Sequence, residues 1–168
     1  TVIPYEAFRD CIALEEVYLG KNVQTIENGA FNGCSSLTEI DVSSFDTSNV
    51  TNMGDMFSSC KALQYIDITH FDTSNVTIMN SMFLNCQNLI SLDVSHFDTS
   101  KVTDMGGMFW KCSGLGSLDV GNFDTSNVTE MRAMFSDCSS LESLDVSNFN
   151  TSNVTSMNSM FSYCSKLT

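Results

Sequence analysis

Basic residues are scarce in this chain of 168: seven Lys and Arg stand against twenty Asp and Glu, a net charge of −13. A field of that sign repels phosphate backbones, which argues against nucleic acid and favours basic protein surfaces or divalent cations. No apolar run approaches the roughly 18 residues that a membrane-spanning helix requires, so no membrane insertion of this segment is expected. Cys-x-x-Cys pairs are absent, which removes the usual zinc and dithiol motifs. No phosphate-binding loop occurs, and Gly114-Leu115-Gly116 lacks the third glycine of a dinucleotide fingerprint and leads into Leu118 and Asp119. With only two histidines, His70 and His96, and no nucleophile–base–acid set near either, the sequence predicts no enzyme and no cofactor. A signal peptide and an initiator Met are also missing. The chain opens with Thr1 inside a repeat and stops at Thr168, where another strand is due, so it reads as a fragment of a longer protein.

What is present is periodic. Cysteines stand at 11, 34, 60, 86, 112, 138 and 164, a first gap of 23 followed by gaps of 26. Phe45, Phe71, Phe97, Phe123 and Phe149 keep the same interval, as do Val50, Val76, Val102, Val128 and Val154. A fixed period of this length filled with apolar residues means stacked coils, because one coil cannot bury its own apolar face. Within a coil, Leu92 and Val94 alternate with Asp93, the pattern of a short strand. Met105, Met108, Phe109 and Cys112 follow i, i+3, i+4, i+7 spacing and predict a short helix, with Thr103 as its N-cap. Between them Phe-Asp-Thr-Ser-Lys-Val-Thr is turn chemistry. The expected fold is an α/β solenoid, a leucine-rich repeat with a parallel β-sheet on one face and short helices on the other. It forms a single domain over 1–168, with two repeats of the 23-residue type in 1–37 and five of 26 residues in 38–168.

The segment Leu-Asp-Val-Ser-Asn-Phe-Asn-Thr-Ser-Asn-Val-Thr-Ser-Met-Asn-Ser-Met-Phe-Ser-Tyr-Cys-Ser-Lys-Leu (144–167) resembles the repeat of BspA-like leucine-rich-repeat surface proteins. The first two coils, with Ala-Phe-x-x-Cys-x-x-Leu, look like the treponemal-type repeats that accompany them. The resemblance covers essentially the whole chain. It implies an extracellular, cell-surface location with signal and anchor outside this segment, and attachment to a protein or glycan on a host or neighbouring cell. It supplies no catalytic residues.

Candidate sites follow from the columns. Asp41, Asp67, Asp93, Asp119 and Asp145 form an outward ladder. Asp67, Asp93 and Asp119 are calcium candidates, while the structural alternative is that each Asp accepts hydrogen bonds from neighbouring Ser, Thr and turn amides. Beside them runs a variable column, Glu16, Glu39, Tyr65, Ser91, Ser117 and Ser143, where a ligand would be read; with Tyr18, Tyr65 offers rigid aromatic contact surface. Tyr18, Tyr65, Asp67, Asp93, Asp119 and Trp110 are therefore the candidate partner-binding residues. Leu84 and Trp110 share a column with Ser58, Ser136 and Ser162, expected to be at least half exposed; the two apolar groups read as a small partner-contact patch or, the favoured alternative, as packing between neighbouring coils. His70 and His96 read as a solvated pair, the cysteines as buried free thiols, the Met columns as core, and the Asn-Val-Thr sequons as turn motifs. The functional expectation is a recognition module, part of a bacterial adhesin that binds through its sheet face; the competing class is a structural spacer. Uncovered ends add the expectation of flanking sequence or end-to-end self-association.

Overall fold

A computed structural model describes residues 1–168 apart from 20, 21, 23 and 24. Successive coils pile in register. Strands β1 (Val2–Ile3) and β3 (Thr25–Ile26) pair in parallel, Val2 opposite Thr25 and Ile3 opposite Ile26. Strands β2 (Glu16–Val17) and β4 (Glu39–Ile40) pair likewise, Glu16 opposite Glu39. The β1–β3 ladder then continues 26 residues at a time as single parallel bridges linking Asn52, Ile78, Asp104, Glu130 and Ser156.

The solenoid and its columns match the expectation, but the helices do not: among the described residues there is none. The Met–Phe stripe is a run of tight turns. Alternate amides leave the coil altogether, with the Met53, Asp55, Phe57 and Ser59 N–H groups donating to the carbonyls of Ile78, Asn80, Met82 and Leu84 at 2.6–3.0 Å. The intervening amides turn back three residues, Ser58 to Asp55 and Cys60 to Phe57. Every fourth residue takes positive φ. One such column is Glu6, Gly29, Asp55, Ser81, Gly107, Ala133 and Ser159, and a second runs from Asp10 and Gly33 through Lys111 to Tyr163. A left-handed residue every fourth position interrupts the i→i−4 ladder, and the next coil takes the amides that ladder would need. Thr103 is accordingly no N-cap, since its hydroxyl donates to the Thr77 carbonyl of the previous coil at 3.2 Å.

The predicted sheet over Leu92-Asp93-Val94 is also shorter than expected. Paired strands on that face are confined to β2 and β4, and later coils keep single links such as Ile90 N–H to Gln64 O at 3.1 Å. Each coil of the Asp ladder turns off at its aspartate, the one after β4 included. Asp93 Oδ1 accepts the Ser95 N–H at 3.0 Å, and Asp41, Asp67, Asp119 and Asp145 capture the amide two residues on in the same way. Such a turn bends the chain out of the strand it would otherwise continue.

The core is the set of inward columns. Met79, Met82, Phe83, Cys86 and Leu89 are fully buried, as are their counterparts in neighbouring coils. Phe8, Phe31, Phe57, Phe83, Phe109, Phe135 and Phe161 form one stack, with ring centres 5.0–6.2 Å apart and planes within 13°. Among the described residues no buried side-chain nitrogen or oxygen lacks a hydrogen-bond partner. Thr47, Thr73, Thr99 and Thr125 are buried, and each donates its hydroxyl to a carbonyl of the next coil at 3.0–3.1 Å. The Cys60, Cys86, Cys112 and Cys138 thiols donate to Phe carbonyls 29 residues back at 3.1–3.3 Å. All seven cysteines are free, with Cys11 exposed at the first coil.

Candidate functional site

The face carrying the Asp ladder is polar, acidic and studded with isolated apolar groups. Segments 14–19, 37–44, 63–70, 89–96, 115–122 and 141–148 each hold Asp or Glu and contain no Lys or Arg. Asp67, Asp93 and Asp119 stand exposed in a column at successive coils, and Tyr18 occupies the same column in the first coil. Tyr18 is 78% exposed, and its hydroxyl donates to Glu16 Oε2 at 2.9 Å. That bond to a carboxylate, with the Glu16 charge behind it, raises the Tyr18 pKa above its ordinary value. Tyr65, 59% exposed, sits between two shallow hollows. One, of about 310 Å³, is lined with Ser91, Asp93, Ser117 and Asp119; the other, of about 370 Å³, is lined with Thr38, Glu39 and Gln64. The structure therefore brings Tyr65, Asp93 and Asp119 to one hollow and holds Tyr18 beside Glu16 farther toward the first coil.

The ladder needs compensation for like charges stacked at strand spacing, and the chain supplies it locally. Hydrogen bonds from the Thr69 hydroxyl and amide hold Asp67 below the usual carboxylate range, and Ser95 does the same for Asp93. Ser43 and Ser147 act likewise on Asp41 and Asp145. Each Asp thus has a structural partner, and among the described residues no three His, Cys, Asp or Glu side chains group so as to hold a metal ion.

The remaining columns sort themselves by their contacts. His70 Nε2 lies 2.8 Å from the Val42 carbonyl of the previous coil, and Asn122 in the same column donates to Phe97 O of the coil before it, so the column ties coils together. Asn75, Asn127 and Asn153 donate to Ser48, Ser100 and Ser126 carbonyls across coils, a structural use of the sequon asparagines. Burial pushes the thiols up, Cys34 to about 11 and Cys138 to about 12, which leaves them protonated and inert at neutral pH. The expectation of exposure for the Leu84–Trp110 column is corrected. Ser58 and Ser136 are buried, while Leu84 and Trp110 are partly buried against neighbouring turns. The turn run packs this column inward, which helical geometry would not have done. Trp110 is placed by a hydrogen bond from Nε1 to Asp137 Oδ2 at 3.3 Å, on the turn side and apart from the Asp face. Sequence reading missed Ile90, which is 62% exposed next to Gln64. Its signal was an apolar residue in a column otherwise held by Glu15, Thr38, Gln64, Gly116 and Glu142.

A leucine-rich repeat protein from Eubacterium ventriosum superposes with a TM-score of 0.53 at 20% identity, over 80% of this chain and 33% of that one. A leucine-rich repeat protein from Bacteroides ovatus gives a TM-score of 0.50 at 21% identity, over 90% of this chain and 43% of its own. The chain thus spans well under half the length of either structure, and at this identity the likeness concerns the fold. No curated protein matches the sequence. The family described as "Mycoplasma protein of unknown function, DUF285" matches residues 5–91 and again 87–168. The chain belongs to this DUF285 family, and its fold is that of leucine-rich-repeat proteins.

Proposed function

We propose that this solenoid is a recognition module displayed outside a bacterial cell, binding a protein partner through the Asp–Tyr face. One observation carries the reading: exposed Tyr18, Tyr65 and Ile90 lie among carboxylates on a face that, among the described residues, holds no Lys or Arg. Rigid aromatic groups contribute most of the energy at protein interfaces, and a single-sign field around them selects a partner of opposite charge and speeds its arrival. The partner's footprint is basic, with an apolar patch to cover Tyr65. An array of extracellular-matrix and cell-surface proteins tests this. The reading predicts binding that weakens steeply with added salt and drops at least about tenfold, or 1.4 kcal/mol, in Tyr65→Ala. Silence across the array, or binding indifferent to Tyr65→Ala and to salt, rejects it.

A spacer is the second reading, favoured by the near-identity of the outward residues from Ser91 through Ser147. If it holds, the segment joined to its natural flanking sequence binds only through that flank.

A further inference from the structure

In a repeat protein the residues shared by all coils build the architecture, so a place where several coils depart from the consensus together marks something else. Such a place lies on the turn side. The position that holds Ser58, Ser136 and Ser162 elsewhere is Leu84 in one coil and Trp110 in the next. The Trp110 coil also carries Gly106-Gly107, where other coils have Gly54-Asp55, Asn80-Ser81 or Asn158-Ser159, and the following coil has Arg132-Ala133. These departures converge on one hollow of about 310 Å³, bounded by Leu84 and Trp110. Asn80, Asp104, Glu130 and Arg132 complete its polar rim. A Cβ added at Gly107 would lie 3.5–3.8 Å from Ser81, Leu84 and Trp110, so the two glycines keep side-chain bulk off the floor.

We infer that this hollow is a saccharide-binding site, with the Trp110 indole as the stacking wall. The chemistry fits a neutral sugar ring better than other small ligands. The axial C–H face of a hexose packs on an aromatic plane, and its ring of hydroxyls calls for mixed donors and acceptors at the rim. Arg132 and Asn80 supply donors; Asp104 and Glu130 supply acceptors. Among the described residues Arg132 makes no ion pair, which leaves its guanidinium to the ligand. The same mixture disfavours a simple cation, repelled by Arg132, and a simple anion, repelled by Asp104 and Glu130. The indole is fixed in advance by its hydrogen bond to Asp137, and Lys111 Nζ lies 5.7 Å from the ring centre, so little ordering is left for binding. The site is distinct from the Asp–Tyr face and does not depend on what that face binds.

Trp110 is the sole tryptophan, so its emission reports this site alone. Titration of the whole 168-residue chain with maltose, cellobiose, lactose and N,N′-diacetylchitobiose is expected to give a saturable emission change with at least one. Saturation-transfer NMR with that sugar then reads the variants. Trp110→Leu, a side chain the fold already accepts at Leu84, and Arg132→Ala should each weaken binding at least about tenfold, whereas Tyr65→Ala should leave it unchanged. No response to any of the four sugars overturns the assignment. So does a response that survives Trp110→Leu, or an emission change produced by a lysine-rich peptide and not by sugars.

Discussion

Substitutions at Gly107 and Lys111 discriminate between turns and helix by the sign of their effect. Both residues have positive φ, 63° and 62°. In Gly107→Ala the new methyl meets its nearest neighbours at 3.5–3.8 Å, ordinary contact, so sterics beyond the backbone add nothing. The left-handed conformation costs an alanine about 1–2 kcal/mol. The stiffer unfolded chain returns about 0.5–1 kcal/mol. A net loss of about 0.5–1 kcal/mol results. Lys111→Gly runs the same terms backwards and gives up the cation near the indole, about 0.5 kcal/mol, leaving between no change and about 0.5 kcal/mol of gain. Had residues 105–112 formed a helix, Gly107→Ala would gain about 1 kcal/mol and Lys111→Gly would lose about as much. For a chain of this size 1 kcal/mol moves the melting temperature by about 2–4 °C, within reach of calorimetry. A raised midpoint for Gly107→Ala together with a lowered one for Lys111→Gly would refute the turn assignment.

Thr99→Val is nearly isosteric but removes the buried hydroxyl that donates to the Asp124 carbonyl; urea unfolding should show a loss of about 0.5–1.5 kcal/mol, and an unchanged midpoint would deny the inter-coil bond. A thiol reagent at pH 7 should label Cys11 rapidly while Cys60, Cys86 and Cys112 react only after denaturation; rapid labelling of the latter three would contradict the packing. Asp41, Asp67, Asp93 and Asp145 have depressed folded-state pKa values. Their contribution is therefore present above the unfolded value of about 3.9 and is lost as pH falls through the folded ones. Asp55, raised by burial, works in the opposite direction. In carboxyl NMR titrations Thr69→Ala should raise the Asp67 pKa and leave Asp93 in place; equal shifts in both would point to a field effect instead of a hydrogen bond.

The columns were legible in the sequence because the ruler is explicit. Cys at 26-residue intervals and Phe, Met and Val in step with it have one economical explanation, and burial of Met79, Phe83 and Cys86 bears it out. The conformation inside a coil was not legible from spacing alone. Met105, Met108, Phe109 and Cys112 satisfy a helical stripe, yet two tight turns joined at a left-handed residue put the same side chains inside. The overlooked signal was composition, since the positive-φ columns hold Gly29, Gly107, Gly33, Asn85 and Asp137, types that tolerate that region. For the Asp column the sequence allows a cation strip or a structural role, and the Ser95 hydrogen bonds to Asp93 favour the structural one. Trp110 was singled out as an oddity in its column, but the hollow beside it depends on Gly106, Gly107 and Arg132 coming together across coils. A one-dimensional reading does not bring those residues together.

Register stacking can be measured directly with pairs of spin labels in one exposed column, in a Cys11→Ser, Cys164→Ser background where the remaining thiols are buried. Positions 43, 95 and 147 share a column two coils apart. With about 4.8 Å per coil, the 43–95 pair should lie near 10 Å and the 43–147 pair near 19 Å, each with a narrow distribution. Distances that fail to grow with coil number, or a broad 43–147 distribution centred far from 19 Å, would contradict the stacked solenoid.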